Sequence, residues 1–382
     1  MYICCMAKII NPFPLIAYSG SEFFCNRKAE IKTLRTNIEN GINTTLISIR
    51  RMGKTGLILH LFSKLSRNAQ MRCLYVDMYA TQNQKDLMER IASAVLKEFP
   101  AKKPIGKKIF DFITGLRPII SYDNLTGLPQ VSFNYSQPLQ QEKSLEQLFQ
   151  FLDKLDITIV IALDEFQQIN MYPEKNTEAL LRSIIQRLKN IRFIYSGSSK
   201  HILSQMFTQK ARPFFASTQM LNLGEISEED YTNFIQEKFN QHSRKISEEA
   251  LHFIIHWTKL HTYYTQVVCN RIFASGFTFT DIDDVRNICY NLLEEHKPTF
   301  IQYKNLLTPA QWKLLTAIAK EEKLYQPGGA VFISKYKLGT PSKVQRSLQA
   351  LLSKEMLYTE NDSIGNYYSV YDCFLARWLE RN

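Results

Sequence analysis

Short apolar runs rich in β-branched residues alternate with helical patterns through the first half of the chain. The runs "TTLISI" (44–49), "RCLYVDM" (72–78) and "IRFIYSGSS" (191–199) are predicted strands, and "ITIVIALDEF" (157–166) is a strand that is apolar on both faces. Strands of that last kind are typical of the centre of a parallel sheet covered by helices. Helical periodicity between the strands, as in "NQKDLMERIASAVLKEF" (83–99), therefore predicts an α/β fold with a doubly wound parallel sheet.

The segment 100–143 interrupts this alternation. It begins with a basic stretch and continues with "IISYDNLTGLPQVSFNY", in which Val131, Phe133 and Tyr135 alternate with polar residues around an earlier turn. Alternation of this kind predicts a half-buried β-hairpin. We expect a hairpin insertion at about 117–135.

The pattern becomes helical after Gly224. Residues 225–300 contain successive helical patterns, of which the first two have a serine cap and an acidic first turn, and this predicts an all-α lid. Two capped helices and the hairpin pattern "LYTENDSIGNYYSVYD" then predict a winged helix-turn-helix domain. The predicted domains are a phosphate-loop α/β core at 1–224, the lid at 225–300 and the winged helix at 301–382.

Composition narrows the class of protein only slightly. A chain of 382 residues is expected to hold two or three domains, and the net charge of +11 permits a nucleic-acid partner without demanding one. The seven cysteines lack zinc spacing, so we expect reduced, mostly buried thiols. The opening "MYICCMAKII" lacks the features of a secretory signal, and no apolar run is long enough to cross a bilayer. We expect a cytoplasmic protein without a membrane partner.

The stretch "LISIRRMGKTGL" (46–57) joins the first predicted strand to a helix and contains Gly53, Lys54 and Thr55. The phosphate-loop pattern G-x-x-x-x-G-K-[ST] requires another glycine where this chain has Ser48. Backbone N–H groups of 51–55 would surround phosphates at the helix N-terminus. Lys54 would reach the β- and γ-phosphates, and the Thr55 hydroxyl would bind Mg²⁺. Because serine is small, Ser48 weakens the match to the pattern more than it weakens this mechanism.

A pair of carboxylates ends the central strand in "IVIALDEFQQI". Asp164 would bind Mg²⁺ at the carboxyl end of that strand, and Glu165 would polarise a water as general base. A solvated turn is the alternative explanation for two adjacent acids. A phosphate loop nevertheless needs an acidic strand end of this kind to bind Mg²⁺ and activate water. The Gly53-Lys54-Thr55 motif and the Asp164-Glu165 motif therefore support each other.

Two further residues are weaker candidates for the same site. The strand 191–197 ends in hydroxyl residues, and we favour Ser198 over Ser196 as a group that senses the γ-phosphate. Arg212, in "KARPFF", is a candidate arginine finger for charge that develops in the transition state. A surface arginine without a catalytic role is the alternative for Arg212.

These residues resemble a known family. "EFFCNRKAEIKTL", "RRMGKTGLI", "VIALDEFQQI", "FIYSGSSKHIL" and "HTYYTQVVCNRIF" together look like the archaeal-type ATPases, a branch of the P-loop ATPases near the STAND and AAA+ groups. The resemblance covers most of the chain and implies an ATPase core, a helical lid and a C-terminal winged helix. It also implies ATP and Mg²⁺ as cofactors.

The resemblance extends to individual residues. The segment that contains Phe24 and Arg27 lies against the adenine in such proteins, although Lys28 replaces the acid that the family usually has next. The predicted nucleotide-binding residues are Arg50, Arg51, Met52, Gly53, Lys54, Thr55, Gly56, Phe24 and Arg27.

The second capped helix of the winged domain, "TPSKVQRSLQALLSKEM", has a polar face opposite its apolar stripe. Lys343, Gln345 and Arg346 lie on that face, which would suit contact with DNA. The alternative is a solvated helix in a domain that binds protein.

The leading interpretation is an ATP-hydrolysing switch in which hydrolysis alters the lid and the presentation of the winged helix. The alternatives are a DNA-binding module, or a protein-interaction module, that holds nucleotide with little turnover. The partner would then be DNA, a protein client or further copies of this chain.

Overall fold

The computed structural model describes residues 11–16, 18–134 and 138–381. The described chain divides into two compact units. One spans Tyr18–Gly224, and the other combines the N-terminal residues with those from Glu225 onward. Residues 11–16, which were predicted to be part of the sheet domain, join the second unit because Phe13 is buried there against Phe234, Phe239 and Phe273.

The first unit alternates helices and strands. Its elements are α1 (Lys28–Glu39), β1 (Thr44–Ile47), α2 (Lys54–Leu65), β2 (Met71–Asp77), α3 (Gln84–Glu98), α4 (Pro104–Gly115), β3 (Ile119–Tyr122), β4 (Pro129–Ser132), α5 (Pro138–Asp153), β5 (Thr158–Asp164), α6 (Thr177–Ile185), β6 (Ile191–Gly197), α7 (Lys200–Thr208) and β7 (Gln219–Asn222). Short 3₁₀ turns cover Ser21–Phe23 and Phe166–Met171.

The central sheet has the strand order β2-β5-β6-β1-β7, and its neighbouring strands pair in parallel. The predicted parallel α/β sheet is therefore confirmed, with β7 as an edge strand that the pattern did not predict. The register pairs Ile47 with Gly197 and Asp77 with Asp164. The carboxyl ends of β1, β6, β5 and β2 consequently meet at one edge of the sheet.

The inserted segment contains the predicted hairpin, because β3 and β4 pair antiparallel. Tyr135 lies outside the described residues. The segment also contains helix α4, for which the sequence pattern gave no prediction. Basic residues dominate the start of this stretch, but Ile109 and Ile113, one turn apart on α4, are fully buried and hold the helix against the core.

The second unit starts with a helical bundle. Its elements are α8 (Glu228–Asn240), β8 (Lys245–Ile246), α9 (Glu248–Thr258), α10 (Thr262–Ala274), β9 (Phe279–Thr280) and α11 (Ile282–Leu306). The predicted boundary between lid and winged helix, at residue 300, falls inside α11.

The winged helix-turn-helix follows and is confirmed. It consists of α12 (Pro309–Glu321), α13 (Ala330–Lys335), α14 (Pro341–Ser353), β10 (Leu357–Asn361), β11 (Asn366–Val370) and α15 (Cys373–Arg381). Helix α15 packs back on α9, with the Phe374 ring 5.4 Å from Trp257 and Arg377 Nε donating to the Trp257 carbonyl at 2.8 Å. Lid and winged helix therefore belong to the same compact unit.

Two expectations about the whole chain can be compared with the structure. Within the described ranges, no helix is long and apolar enough to cross a membrane. Five cysteines in those ranges are free thiols, and all but Cys73 are buried. Cys4 and Cys5 lie outside the described residues.

Candidate nucleotide-binding site

The phosphate loop connects β1 to α2. Strand β1 ends at Ile47, and α2 begins at Lys54, so the N–H groups of the first turn of α2 point into the loop. Gly53 precedes the helix with φ 93°, a left-handed conformation that glycine adopts without steric cost. Arg51 is also left-handed, with φ 63°. The tight backbone that a phosphate loop requires is thus present despite Ser48.

The Lys54 side chain is 7% exposed and curls back over the loop. Its ammonium donates to the Ser48 carbonyl at 3.2 Å, the Ser48 hydroxyl at 3.1 Å and the Ile49 carbonyl at 3.1 Å. Burial lowers the pKa of Lys54 to about 8, although the charges of Asp164 and Glu165 oppose this shift. The serine in place of glycine therefore contributes an acceptor for the loop lysine.

Asp164 is buried at the end of β5 and accepts hydrogen bonds from several elements. Its Oδ2 accepts from the Thr55 hydroxyl at 2.8 Å and from the Tyr75 hydroxyl at 2.7 Å. Its Oδ1 accepts from the Ser196 hydroxyl at 2.6 Å and from the Glu165 N–H at 3.1 Å. The two residues that were predicted to bind Mg²⁺, Asp164 and Thr55, are therefore hydrogen-bonded to each other.

Glu165 has a different environment from its neighbour. It is half-buried and left-handed, with φ 57°. Its Oε2 accepts from the Ser198 N–H at 3.1 Å and the Ser198 hydroxyl at 2.8 Å, and also from Gln167 Nε2. A Cβ on Gly197 would lie 1.9 Å from Gln167 Oε1, so the glycine at the end of β6 leaves room for this arrangement.

The two predicted N-terminal residues flank the loop. Arg27 is buried, and its guanidinium donates to Glu30 Oε1 at 2.9 Å and to the Met52 carbonyl at 3.5 Å. Phe24 stacks on His60 of α2, with the ring centroids 4.0 Å apart, and its ring also faces Gly56. Arg27 and Phe24 therefore support the loop and the first turns of α2 from one side.

The remaining predicted arginines of this unit are Arg50, Arg51 and Arg212. Arg50 and Arg51 are exposed on the loop. Arg212 forms an ion pair with Glu178 at 2.6 Å and donates to Asn170 Oδ1 at 2.5 Å. These contacts give Arg212 a structural partner within its own unit, and its role as an arginine finger stays a prediction.

Lys343, Gln345 and Arg346 lie in the other unit, on α14. They are exposed, whereas Val344, Leu348 and Leu351 are buried against the winged-helix core. The predicted division of this helix into an apolar and a polar face agrees with these exposures.

Sequence reasoning missed three side chains at the sheet edge. The sequence gives no signal for Tyr75 or Gln167, which contact Asp164 and Glu165 respectively. It favours Ser198 over Ser196, whereas in the structure Ser196 contacts Asp164 and Ser198 contacts Glu165. Tyr75 reaches Asp164 because β2 and β5 are adjacent and in register, which a single sequence does not reveal. For Ser196, the alternation of side chains along β6 was an available signal.

The donor set fits the groups that a phosphate loop binds. The hydroxyl of Thr55 and the carboxylate of Asp164 are hard oxygen ligands of the kind that Mg²⁺ takes. The helix N-terminus at Lys54 and the ammonium of Lys54 suit the negative charge of phosphates.

The geometry defines the class of protein. A strand, a Gly-Lys-Thr loop and a helix, with an acidic strand end hydrogen-bonded to the loop threonine, are the parts of a P-loop nucleotide-binding ATPase. Residues 24–260 match the family described as an ATPase domain predominantly from Archaea, and residues 298–381 match a probable winged helix domain. The chain belongs to that ATPase family, and the resemblance inferred from its motifs is confirmed.

Solved structures support the same fold. A Walker-type ATPase of Pyrococcus abyssi is 17% identical with a TM-score of 0.65, over 96% of this chain and 99% of its own. The ORC2 protein of Aeropyrum pernix, solved as ADPNP–ADP complexes, is 15% identical with a TM-score of 0.57, over 93% of this chain and 92% of its own. At these identities the likeness shows the fold alone. The comparison with curated proteins found no match.

Proposed function

We propose that this protein binds ATP at the loop 48–55 and hydrolyses it with Mg²⁺. The observation that carries the proposal is the hydrogen bond between the Thr55 hydroxyl and the buried Asp164, with Glu165 as the next residue. It unites the loop end, a cation-binding carboxylate and a second carboxylate at one edge of the sheet. A phosphate loop used only for structure would not need Glu165 there.

Binding would rest on the loop backbone and on Lys54. The N–H groups at the start of α2 would donate to phosphate oxygens, favoured by the helix dipole. Lys54 would exchange its loop oxygens for phosphate oxygens, which are better partners for an ammonium than neutral carbonyls are. Arg27 would keep the loop in shape through the Met52 carbonyl.

Thr55 and Asp164 would hold Mg²⁺, whose charge would stabilise the negative charge that develops on the phosphates. Ser196 and Tyr75 would orient Asp164, because each donates to one of its oxygens. This outer layer of donors limits the rotation of the carboxylate.

Glu165 would act as general base. It would accept a proton from the attacking water while that water oxygen forms its bond to the γ-phosphorus and the bond to ADP breaks. Ser198 and Gln167 donate hydrogen bonds to its carboxylate at the end of β6, and they would orient that carboxylate toward the attacking water.

The test is a measurement of phosphate release with and without Mg²⁺ for wild type and Lys54→Ala. We expect Mg²⁺-dependent turnover in wild type, and the Lys54→Ala variant should lose nucleotide binding. Lys64→Ala is the matched control, since Lys64 is an exposed lysine on the same helix. A wild-type protein that neither binds nor hydrolyses ATP would refute the proposal.

A second proposed activity is contact with DNA through α14. Lys343 and Arg346 are exposed, and neither has an ion-pair partner among the residues that the structure describes. Basic side chains that are not paired with acids, on a polar helix face, are suited to phosphates. Binding to duplex DNA, measured at fixed salt with and without ATP, tests this activity. Binding to a protein client without any affinity for DNA would favour the alternative interpretation of the domain.

A further inference from the structure

A cluster of candidate metal ligands lies in the second unit, on the outer face of the helical bundle. His252 and His256 are one turn apart on α9, and Glu228 is the first residue of α8. Residues four apart on a helix share a face, so both imidazoles point toward the start of α8. This cluster is separate from the phosphate loop and is not part of the proposed ATPase mechanism.

The ligand atoms of the cluster converge. His252 Nδ1 is 2.8 Å from Glu228 Oε1, and His256 Nε2 is 4.0 Å from the same oxygen. One ligand atom from each of these residues can be chosen so that all lie within 4.8 Å of one another. Zinc–ligand distances of about 2.0–2.2 Å place tetrahedral ligands roughly 3.3–3.6 Å apart. Small side-chain rotations would therefore bring the three atoms onto one ion.

Core packing does not explain the two histidines. Helix α9 buries Leu251, Ile254 and Ile255 on its inner face, whereas the His252 and His256 side chains are 52% and 77% exposed. An ion pair with Glu228 would account for His252 alone. It leaves His256 near the same oxygen without a close hydrogen bond to it.

The surroundings also favour a cation. Glu248 lies 3.9 Å from His252 Nε2, and both helices carry acidic residues in their first turns. Two imidazoles and a carboxylate are ligands that Zn²⁺ takes, whereas Mg²⁺ prefers oxygen ligands throughout. The ligand chemistry thus separates this cluster from the Thr55–Asp164 pair.

The geometry points to a binding site for one divalent transition-metal ion of the Zn²⁺ type. Glu228, His252 and His256 are the protein ligands, and a water completes the coordination. Because the ligands come from two helices, a bound ion cross-links the start of α8 to α9 and stabilises the bundle.

The test uses the full chain without nucleotide, with its thiols reduced, titrated with Co²⁺ and with Zn²⁺. We compare wild type with His252→Ala/His256→Ala and with Glu228→Gln, and use His201→Ala as the control for loss of an exposed histidine elsewhere. We expect Co²⁺ to give the visible absorption of a low-coordinate nitrogen–oxygen site without thiolate charge transfer. The double variant should weaken Zn²⁺ binding at this site more than about tenfold.

A second measurement, the shift of Tm with Zn²⁺, distinguishes binding at this cluster from Zn²⁺ binding at cysteine thiols. Saturating Zn²⁺ should raise the Tm of wild type and of His201→Ala, but not that of the double variant. Wild type that binds no Zn²⁺ would overturn the proposal. So would affinity and Tm shift that are unchanged in the double variant, or Co²⁺ absorption dominated by thiolate.

Discussion

The sequence singles out two sets of polar residues, one at the sheet edge and one on the exposed face of α14. The two sets differ in their burial and in the number of hydrogen bonds that fix their side chains. At the sheet edge, Asp164 is 5% exposed and accepts hydrogen bonds from α2, β2 and β6. On α14, Lys343 and Arg346 are exposed and point away from the core. The first site is specified by contacts among separate elements, whereas the second depends on the face of one helix.

This difference has a physical basis. Burying a carboxylate without partners is costly, so the donors around Asp164 offset that cost and fix the position of the carboxylate. An exposed lysine costs little wherever it lies, so its presence alone carries less information. Changes at the sheet edge are therefore expected to have large and specific effects, and changes on α14 smaller and salt-dependent ones.

The largest effect is expected from Glu165→Gln. Removing the proposed base should lower kcat for ATP about 10²–10⁴-fold, with ATP affinity nearly unchanged. Single-turnover phosphate release and equilibrium nucleotide binding measure the two quantities, and Glu39→Gln on the surface of α1 is the control. Equal losses in binding and turnover would instead assign Glu165 a role in folding the site.

The next effect is on the pH dependence of nucleotide binding. In the proposed function, phosphate is bound by the charged form of Lys54, whose pKa burial lowers to about 8. Affinity should therefore be constant below pH 8 and fall about tenfold per pH unit well above it. The Lys54→Arg variant, whose guanidinium stays charged, should lack this step even if it binds more weakly. A profile for wild type that is flat to pH 10 would contradict the assignment.

On α14, we expect the double change Lys343→Ala/Arg346→Ala to weaken DNA binding roughly tenfold at low salt. The slope of log affinity against log salt should also fall by about two, because each of the two side chains would no longer neutralise a phosphate. The change Lys304→Ala/Lys320→Ala removes the same charge from exposed positions outside α14. If both double variants have the same slope, binding follows net charge and not this helix face.

The smallest effect is expected from Tyr75→Phe. Loss of its hydrogen bond to Asp164 should raise the Mg²⁺ concentration for half-maximal turnover about fivefold, which corresponds to about 1 kcal/mol. Turnover at saturating Mg²⁺ should change much less, and Tyr79→Phe, at a 71% exposed position, should change neither quantity. An unchanged Mg²⁺ requirement would leave Tyr75 as a packing residue.

The sequence was sufficient for features whose signal is local. Gly53, Lys54 and Thr55 lie between a strand and a helix, and Asp164 with Glu165 ends a strand, so both motifs could be read from consecutive residues. The winged helix could be predicted for the same reason, from the caps of its helices and the turn of its hairpin.

Features that depend on contacts between residues distant in the sequence could not be predicted from the sequence. Helix α4 is stabilised by burial of Ile109 and Ile113 in a core assembled from other elements, and the basic stretch at its start obscured that pattern. The partner of Arg212 was equally hidden, since Glu178 lies on another helix. The same applies to Glu228 and the α9 histidines, which belong to different helices.

By itself, then, the sequence determined the type of the main elements, the two nucleotide-site motifs and the kind of chemistry they can support, because periodicity and residue type act over a few positions. Only the tertiary structure decided the strand order, which sets Asp77 beside Asp164 and Ser196 within reach of it. It also gave Ser48 its contact with Lys54 and united the lid with the winged helix. These outcomes depend on which distant side chains share a core or a sheet edge, and that choice is made by packing of the whole chain.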